Sequence, residues 1–315
     1  MAKYKKALVT GGAGFIGSHI VDALIKRHIK VYVVDDLSAG KKSNVNPNAV
    51  FYKMSVADPA VMKLIAKVKP DVVFHLAAQI DVRASVEDPA ADARVNVIGT
   101  LHVAHASAKV GVKKFIMTSS GGAMYSDDVR PPYSEATPAD PISPYGIAKR
   151  SAEMYLGFEE QMHKLSCVIL RLANAYGPRL RLSGGYAGVI SKFTQTMLTG
   201  KQCVITGTGK QTRDYVYVGD IVRAQLLAMD KNVSGIYHIG TGKETSVVQL
   251  FKKINALTSA KQKEVHVAAC AGEVMRSALD SRKAGRELGW KPEVTLDEGL
   301  KRTVEWFRNQ HGQGK

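Results

Sequence analysis

A glycine-rich turn near the start of the chain constrains the fold more than any other feature. Gly11, Gly12, Gly14 and Gly17 follow a short apolar run at residues 7–10 and fit both GxxGxxG and, from Gly12, GxGxxG. Glycines permit a tight turn and a close approach of the backbone to a pyrophosphate, while the N–H groups of a following helix stabilise its charge. The apolar spacing after Gly14 predicts that helix, so the segment is typical of dinucleotide binding.

An acid ends the second predicted strand, residues 31–34. Asp35 follows Gly12 at about the 20-residue spacing at which a carboxylate accepts hydrogen bonds from a ribose. Because a carboxylate repels a 2′-phosphate, Asp35 favours NAD over NADP as the cofactor. Lys41 and Lys42 lie close enough in sequence to leave NADP open.

Short β-rich runs alternate with helical stretches through the first half of the chain. The predicted strands cover residues 7–10, 31–34, 50–54, 72–76, 115–118 and 167–172. This alternation predicts an α/β fold, a Rossmann-type doubly wound parallel sheet with helices on both faces. Beyond residue 175 come glycine-rich loops, a strand near 236–239 and a final helix over 296–307. We predict an NAD-binding domain over 1–175 and a smaller C-terminal α/β substrate domain over 176–315, with some segments returning to the first.

A tyrosine and a lysine lie one helical turn apart near the middle of the chain. Ser143 and Pro144 predict the helix start, with Ser143 as the N-cap and Pro144 at the first helical position. Tyr145 and Lys149 then share one face of the helix. A phenol of pKa about 10 becomes a base near neutral pH only if its phenolate is stabilised by roughly 4 kcal/mol, and a nearby ammonium can supply much of that.

The hydroxyl groups of two serines follow the strand predicted at residues 115–118. Because ligands of such sheets bind at the carboxyl ends of the strands, Ser119 or Ser120 can meet Tyr145 there. A YxxxK spacing is common by chance, and Ser119 could instead cap the strand end. The combination of strand, serines and helix favours a catalytic site over an exposed helix turn.

Three motifs together resemble an extended short-chain dehydrogenase/reductase, and within that group the UDP-glucose 4-epimerases. The motifs are TGGAGFIGSH at residues 10–19, the pair of Tyr145 and Lys149, and QTRDYVYVGD at residues 211–220. Further matches follow near residues 171–179 and 280–290, so the resemblance covers nearly the whole chain.

The resemblance implies a Rossmann domain that holds NAD, a C-terminal domain that binds a UDP-sugar, and a set of site residues. It implies that Tyr145, Lys149 and Ser120 are catalytic, with Ser119 as the alternative serine. The residues implied for NAD are Gly11, Gly14, Phe15, Ile16, Gly17, Asp35, Leu76, Ala77, Ala78, Asn96, Tyr145 and Lys149. The residues implied for the substrate are Ser120, Asn174, Arg213, Arg276 and Ser277. Helix packing for Asn96 and a surface ion pair for Arg213 remain the alternative interpretations.

Several positions depart from the pattern of the family. Ser55 stands where many relatives carry an acid after the third strand, and Asp58 lies nearby. Cys270 stands where many relatives place a phosphate-binding arginine, which makes Arg276 the substitute. The small Ser277 aligns near the hexose and would admit an N-acetyl group at C2′.

The reaction that the resemblance implies is NAD-dependent 4-epimerisation of UDP-glucose and UDP-galactose through a 4-keto intermediate. Gly121 and Gly122 follow Ser120, where dehydratases and decarboxylases of the family place proton-transferring groups. Open alternatives are an epimerase of UDP-N-acetylglucosamine or UDP-glucuronate, another nucleotide-sugar dehydratase or decarboxylase, and a dinucleotide-sensing scaffold without catalysis. The intact Tyr145 and Lys149 favour an enzyme over a scaffold.

The charge and cysteine content bound the remaining function classes. The 44 Lys and Arg residues outnumber the 28 Asp and Glu residues, giving a formal charge of +16. The basic runs are short and do not interleave with aromatics, so we expect a solvated basic surface and no nucleic-acid partner. The three cysteines have no CxxC spacing, which indicates neither a disulfide framework nor a structural zinc site, and we expect no metal.

The chain is expected to act in the cytoplasm without a membrane partner. No apolar run approaches the ~18 residues of a membrane span, and the first residues lead directly into a strand without a signal peptide. The resemblance also implies a homodimer, in which the helices at residues 96–108 and from Pro144 onward pair across a two-fold axis.

Overall fold

The computed structural model describes residues 4–180, 188–269 and 274–312. Its strands are β1 (Lys6–Thr10), β2 (Lys30–Asp35), β3 (Val50–Lys53), β4 (Val72–His75), β5 (Lys114–Ser120), β6 (Cys167–Leu172), β7 (Asn174–Tyr176), β8 (Ile205–Thr206), β9 (Thr212–Tyr217), β10 (Gly235–Ile239), β11 (Glu244–Ser246), β12 (His266–Val267) and β13 (Arg276–Ser277). Its helices are α1 (Phe15–Lys26), α2 (Ala60–Val68), α3 (Val82–Glu87), α4 (Pro89–Ala93), α5 (Gly99–Lys109), α6 (Pro144–His163), α7 (Val189–Leu198), α8 (Val218–Asp230), α9 (Val247–Thr258), α10 (Arg282–Leu288) and α11 (Leu296–Gly312). A 3₁₀ turn covers Lys42–Asn44, and a π-helical turn covers Arg94–Ile98.

Among the described residues, seven parallel strands form the main sheet. Their order is β10-β6-β5-β4-β1-β2-β3. The chain thus starts at β1 near the middle, proceeds to one edge, and then returns to fill the other side, which is doubly wound topology. The predicted fold class is confirmed.

Strand β5 is longer than the sequence predicted. Ser119 and Ser120 continue the strand because they pair in parallel with Arg171 and Leu172 of β6. The sequence prediction ended the strand at residue 118 because its apolar run ends there. Backbone pairing with β6 carries both serines to the carboxyl edge of the sheet.

Alternating side chains of the strands serve two separate cores on the two faces of this sheet. Ala7 and Val9 of β1 pack on the face covered by α1 and α8, whereas Leu8 packs on the face covered by α2, α5 and α6. Both faces are buried against helices, which explains why apolar residues occupy consecutive positions of the strands and do not alternate with polar ones.

A third core lies in the C-terminal part of the chain. It is built mainly from α7, α9 and α11 together with β9, and Phe193, Tyr215, Phe251 and Leu300 are among its buried members. Among the described residues, β9 pairs with β7, β11 and β13 to form the smaller sheet. Strand β10, by contrast, pairs with β6 of the main sheet, although it falls within the predicted C-terminal domain.

Within the described ranges, no helix combines the length and the apolar character that crossing a membrane would need.

Candidate active site

The glycine turn brings β1, α1 and the loop after β4 into direct contact. Gly11 has a φ of +70°, and a Cβ at this position would lie 2.7 Å from the backbone nitrogen of Ala77. A Cβ on Gly17 would overlap the carbonyl oxygen of Gly11. Side chains are therefore excluded at both positions, and the backbone forms a narrow cradle.

Helix α1 opens towards this cradle without a side-chain cap. Gly14 is the N-cap, and no side chain of the described residues accepts a hydrogen bond from the first turn. The first N–H groups of a helix have no intrahelical partner, so those of Phe15 and Ile16 are available to an anion. The predicted phosphate-binding role of this turn fits the geometry.

Asp35 ends β2 beside the glycine turn. Its carboxylate accepts hydrogen bonds from the backbone N–H groups of Ala13 at 2.9 Å and Leu37 at 2.8 Å. Burial raises the pKa of Asp35, and these two hydrogen bonds offset part of that effect. The acid is therefore fixed at the strand end rather than free in a loop.

The two lysines that left NADP open have other surroundings. Lys42 places its Nζ atom 3.5 Å from the centre of the Phe51 ring, in a cation–π contact. Lys41 is exposed, and its backbone N–H bonds to the carbonyl of Ala13. The glycine cradle, the uncapped helix and the fixed Asp35 together fit NAD.

A buried histidine organises the loop after β4, which includes Leu76, Ala77 and Ala78. The Nδ1 atom of His75 lies 2.9 Å from Thr10 Oγ1, and its Nε2 atom lies 3.0 Å from Thr100 Oγ1. Thr10 Oγ1 in turn accepts the N–H groups of Leu76 and Ala77, each at 3.2 Å. Burial, aided by the charge of Lys149, lowers the pKa of His75 to about 3, so the ring is neutral.

The sequence prediction missed Thr10, His75 and Thr100. A histidine at the end of an otherwise apolar strand was the available signal, because such a position demands polar partners inside the protein. These residues act by positioning the loop that faces the glycine turn.

Asn96 lies in the π-helical turn and is buried. Its Oδ1 atom accepts the N–H of Gln79 at 3.0 Å, and its Nδ2 group donates to the Gln79 carbonyl at 2.9 Å and to Asp92 at 3.0 Å. These three contacts make Asn96 a clamp on the backbone of the same loop. A role of Asn96 towards NAD would therefore act through this loop.

Helix α6 begins as the sequence predicts. Ser143 is the N-cap, its Oγ atom accepts the N–H of Gly146 at 3.2 Å, and Pro144 occupies the first turn. The N–H of Tyr145 donates to Ser85 Oγ at 3.2 Å. Tyr145 and Lys149 are both buried, and the Lys149 Nζ atom lies 6.0 Å from the centre of the Tyr145 ring.

Lys149 lies between the tyrosine and strand β5. Its Nζ group lies 3.4 Å from the carbonyl oxygen of Thr118. Burial lowers the pKa of Lys149 to about 8, while the nearby acids Asp92 and Glu153 act in the opposite direction. The ammonium is thus charged near neutral pH and is held in a poorly solvated place beside the Tyr145 ring.

The two candidate serines at the end of β5 have different surroundings. Ser119 is buried, and its Oγ group donates to Glu153 at 2.7 Å. Ser120, the next residue along the strand, points to the opposite face and is partly exposed. The Ser119 hydroxyl is therefore already used inside the protein, whereas Ser120 is the more accessible of the two serines.

A buried ion pair between Glu153 and Arg171 contacts Ser119 from the protein interior. The sequence prediction assigned it no role. Glu153 accepts two hydrogen bonds from the Arg171 guanidinium, at 2.9 Å and 2.6 Å. Arg171 also donates to the Tyr125 hydroxyl at 2.7 Å, and that hydroxyl lies 2.8 Å from His238 Nε2. The available signal was Glu153 itself, an acid one turn after Lys149 on the same helix face.

Three of the predicted substrate residues lie on neighbouring strands of the smaller sheet. Arg213 of β9 pairs in register with Ser277 of β13, and Asn174 of β7 pairs with Tyr215 two residues further along β9. Asn174 is exposed, whereas Ser277 is buried. Ser277 is therefore a strand residue beside Arg213 and not an isolated loop residue.

Arg276 is exposed and paired with an acid. Its guanidinium binds the Glu244 carboxylate at 2.9 Å and 2.6 Å. A phosphate ligand would have to compete with Glu244 for this arginine. Cys270, which replaces the arginine of many relatives, lies outside the described residues.

The residues that depart from the family near the third strand serve local caps. Asp58 accepts the N–H of Ala60 at 2.8 Å at the start of α2, and Ser55 Oγ accepts the N–H of Ala57 at 3.3 Å. Both groups therefore have partners within their own loop.

Comparisons with known proteins agree with this geometry. Residues 7–240 match the family described as the NAD dependent epimerase/dehydratase family. The chain is similar to the crystal structure of the UDP-glucose 4-epimerase of Thermotoga maritima with UDP-glucose, at 50% identity and a TM-score of 0.95, covering 97% of this chain and 99% of that one. It is similar to the Thermus thermophilus UDP-glucose 4-epimerase in complex with NAD, at 37% identity and a TM-score of 0.91, covering 96% and 99%. The UDP-glucose 4-epimerase of Mycolicibacterium smegmatis is 41% identical over 311 residues, which are 97% of this chain and 99% of that protein.

Proposed function

Because this chain belongs to the NAD dependent epimerase/dehydratase family, we propose that it is a UDP-hexose 4-epimerase that interconverts UDP-glucose and UDP-galactose. The observation that carries the proposal is the buried pair of Tyr145 and Lys149 beside the end of β5, followed in sequence by glycines instead of acids or bases. The 50% identity to a UDP-glucose 4-epimerase over almost the full length supports it.

NAD, when bound, supplies the reversible hydride acceptor that this reaction needs. Gly11, Gly14, Phe15, Ile16 and Gly17 would hold its pyrophosphate through the cradle and the open end of α1. Asp35 would accept hydrogen bonds from the ribose. The loop of Leu76, Ala77 and Ala78 would line the remaining part of the cofactor, with Asn96 holding that loop in place.

Tyr145 is proposed as the general base and acid. Its phenolate would take the proton of the sugar 4′-hydroxyl as C4′ gives up its hydride to the acceptor, which yields the 4-keto sugar, and it would return the proton when the hydride comes back. The Lys149 ammonium favours the phenolate by its charge, and its burial makes that charge more effective. Ser120 would position the 4′-hydroxyl, since the hydroxyl of Ser119 is bound to Glu153.

The residues after Ser120 favour epimerisation over the elimination reactions of related enzymes. A Cβ at Gly121 would lie 2.5 Å from the Leu279 side chain, so a larger residue would have to displace that side chain. A Cβ at Gly122 would lie 3.8 Å from Asn174 Oδ1, at the substrate side of the site. Neither position supplies a proton donor, so the 4-keto sugar would be reduced again after turning over in the pocket.

The UDP part of the substrate would bind to the smaller sheet. Asn174 and Arg213 would bind the diphosphate and uridine, and Arg276 would bind a phosphate once released from Glu244. The separate apolar core around β9 supports a division into an NAD-binding domain over residues 1–175 and a nucleotide-sugar domain over 176–315. Strand β10 is then a segment that returns to the first domain.

A stripe of exposed apolar side chains along α6 supports a homodimer. The stripe consists of Ile147, Met154, Tyr155, Phe158 and Met162, which are 44–63% exposed in the single chain. Their spacing places them along one side of the helix, and a second copy with the same stripe would cover it symmetrically. Light scattering at micromolar concentration should give twice the chain mass, and Phe158→Glu should give the single mass.

We place the enzyme in the cytoplasm and in galactose metabolism. Cys167 and Cys203 are free and buried, as suits a reducing compartment. The proposed partner is the UDP-sugar, with no nucleic-acid or membrane partner.

Turnover of a panel of UDP-sugars by the purified protein tests the proposed function. UDP-galactose should give UDP-glucose with no net consumption of NAD, and the product can be identified by NMR. A 4-keto-6-deoxy product would indicate a dehydratase, and loss of carbon dioxide from UDP-glucuronate would indicate a decarboxylase. A folded protein that binds NAD and converts no sugar would indicate the scaffold.

A further inference from the structure

Three side chains with metal-binding atoms converge where the end of α6 lies beside α5. They are His105 of α5 and Glu159 and His163 of α6. Their ligand atoms all lie within 4.8 Å of one another. The i, i+4 spacing places Glu159 and His163 on one face of the helix, and this face meets His105.

Glu159 is the unusual member of this cluster. Its side chain is 2% exposed, and its Oε2 atom has no hydrogen-bond partner among the described residues. The Nε2 atom of His163 lies 3.9 Å from this oxygen, beyond hydrogen-bond distance. Leaving a carboxylate oxygen buried without a hydrogen bond is costly, so the position favours a bound cation. The side chains of His105 and His163 are 40% and 43% exposed in the single chain.

The distances are close to those of a bound ion. In tetrahedral zinc sites the nitrogen and oxygen ligands lie about 2.0–2.1 Å from the metal, so neighbouring ligands are about 3.3 Å apart. The His105 Nδ1 atom is already 3.2 Å from Glu159 Oε1, and the His163 Nε2 atom is 3.9 Å from Glu159 Oε2. The two oxygens belong to one carboxylate and the three ligand atoms spread over up to 4.8 Å, so a bound ion would draw the exposed His163 ring towards Glu159.

We infer that His105, Glu159 and His163 form a Zn²⁺ site that fastens α5 to α6, with water as the fourth ligand. Two imidazoles and one carboxylate suit zinc, whereas calcium and magnesium prefer oxygen ligands alone. The spacing of the cysteines had indicated no metal, and it carries no information on histidines. The pattern that was available is the acid and histidine four residues apart on one helix.

The inferred zinc site stands apart from the proposed chemistry. Glu159 follows Lys149 by ten residues on α6, which is about 15 Å along the helix. The metal would therefore stabilise the packing of two helices rather than take part in epimerisation. It is independent of the substrate that the enzyme uses.

Zinc titration of the chelator-treated full chain tests the site. The wild type should bind one Zn²⁺ per chain, and its Tm should rise by at least ~2 °C. His105→Gln and His163→Gln should each weaken zinc binding by at least ~100-fold. Loss of a residue that only supports a metal ligand already costs up to about 100-fold, and loss of the ligand itself should cost at least as much. His28→Gln, which changes an exposed histidine elsewhere, should bind as the wild type does. Circular dichroism and retained UDP-sugar turnover would show that each variant is folded.

A second measurement on the wild type does not depend on the variants. Cobalt(II) in the site should give the visible bands of a tetrahedral complex without a thiolate charge-transfer band, because the ligands are imidazole and carboxylate. A thiolate band would move the metal to a cysteine such as Cys167 and overturn the inference. Failure of the wild type to bind zinc, or equal affinity in the wild type and His163→Gln, would overturn it too.

Discussion

On the proposed NAD side of the site, polar side chains bind one another and the backbone of the loops that they hold. Asp35, His75 and Asn96 are buried, and each makes two or more hydrogen bonds. On the proposed sugar side, Asn174 and Arg276 are exposed, and Arg276 is held by a surface ion pair with Glu244. The NAD side is fixed by internal hydrogen bonds before any ligand binds and is the locked side, whereas the more solvent-exposed sugar side is the open side.

This difference matches what each ligand would have to do. A cofactor that is regenerated in every cycle gains from a preformed site, because little ordering remains to be done on binding. A hexose that must turn over between two hydride transfers needs room in the pocket. The binding contacts should therefore be made mainly to the nucleotide. Substitutions on the locked side should therefore have larger effects than substitutions on the open side.

The largest effect is expected at the tyrosine where the two sides meet. Tyr145→Phe should lower kcat by at least ~100-fold, because it removes the proposed general base. Binding of NAD and UDP should persist, since the ring and the helix remain. Steady-state turnover and calorimetric titration would separate the two effects, and nearly unchanged turnover would refute the assignment.

The locked Asp35 should discriminate between the two dinucleotides. NAD should bind about 100-fold more tightly than NADP, because the carboxylate and a 2′-phosphate repel each other at short range. Asp35→Asn removes the charge but keeps an acceptor for the N–H of Ala13, so it should reduce the difference in affinity between NAD and NADP. Titration of cofactor-free protein with both compounds measures it, and equal affinities in the wild type would contradict the role of Asp35.

The adjacent serines of β5 provide a matched pair of variants. Ser119→Ala should lower the free energy of unfolding by about 2 kcal/mol, because a hydroxyl bonded to the Glu153 carboxylate is lost. Ser120→Ala should leave stability unchanged and lower kcat by about fivefold. Urea unfolding and turnover of both variants are needed. If Ser119→Ala impaired turnover more at equal stability, the assignment of Ser120 would be wrong.

Ser277 is the buried member of the proposed sugar side, and a substitution there should change the selectivity between substrates. Ser277→Tyr should suppress turnover of UDP-N-acetylglucosamine by about tenfold relative to UDP-glucose, because the larger side chain fills space near C2′. Wild-type protein should convert both substrates. Equal loss on both, or no loss on either, would count against a position of Ser277 in the sugar pocket.

The last prediction concerns the buried His75 of the locked side, whose effect is spread over pH. Because burial lowers its pKa to about 3 from 6.5, the unfolded chain binds a proton in this range that the folded chain does not. The free energy of unfolding should therefore fall as the pH drops below 6.5, with His75 contributing about 1 kcal/mol per pH unit. Urea unfolding between pH 7 and 5 should show a shallower dependence for His75→Gln, and equal slopes would refute this contribution.

Local chemistry made much of this molecule predictable from sequence. The glycine turn, the acid at the end of β2 and the cap at Ser143 each depend on neighbours within a few residues, and the structure has them where the sequence indicates. The strands of the main sheet were predictable as well, because burial on both faces demands continuous apolar runs.

Long-range pairing set the limits of prediction. Glu153 meets Arg171 and Ser119 only after α6 packs on the main sheet, and Thr10 meets His75 only through the pairing of β1 with β4. The extension of β5 to Ser120 and the return of β10 to the main sheet likewise depend on a partner strand distant in sequence. No periodicity within one segment encodes such contacts.

Helix α6 bears on how this sequence can vary in evolution. It carries Tyr145 and Lys149 near its start, Glu153 in its middle, and Glu159 and His163 at its end. One residue inserted between Lys149 and Glu153 would rotate the rest of the helix by about 100° and would separate Glu153 from Arg171. Length changes between relatives should therefore be absent from this helix, while point substitutions accumulate at Gly157, where a side chain would meet open space.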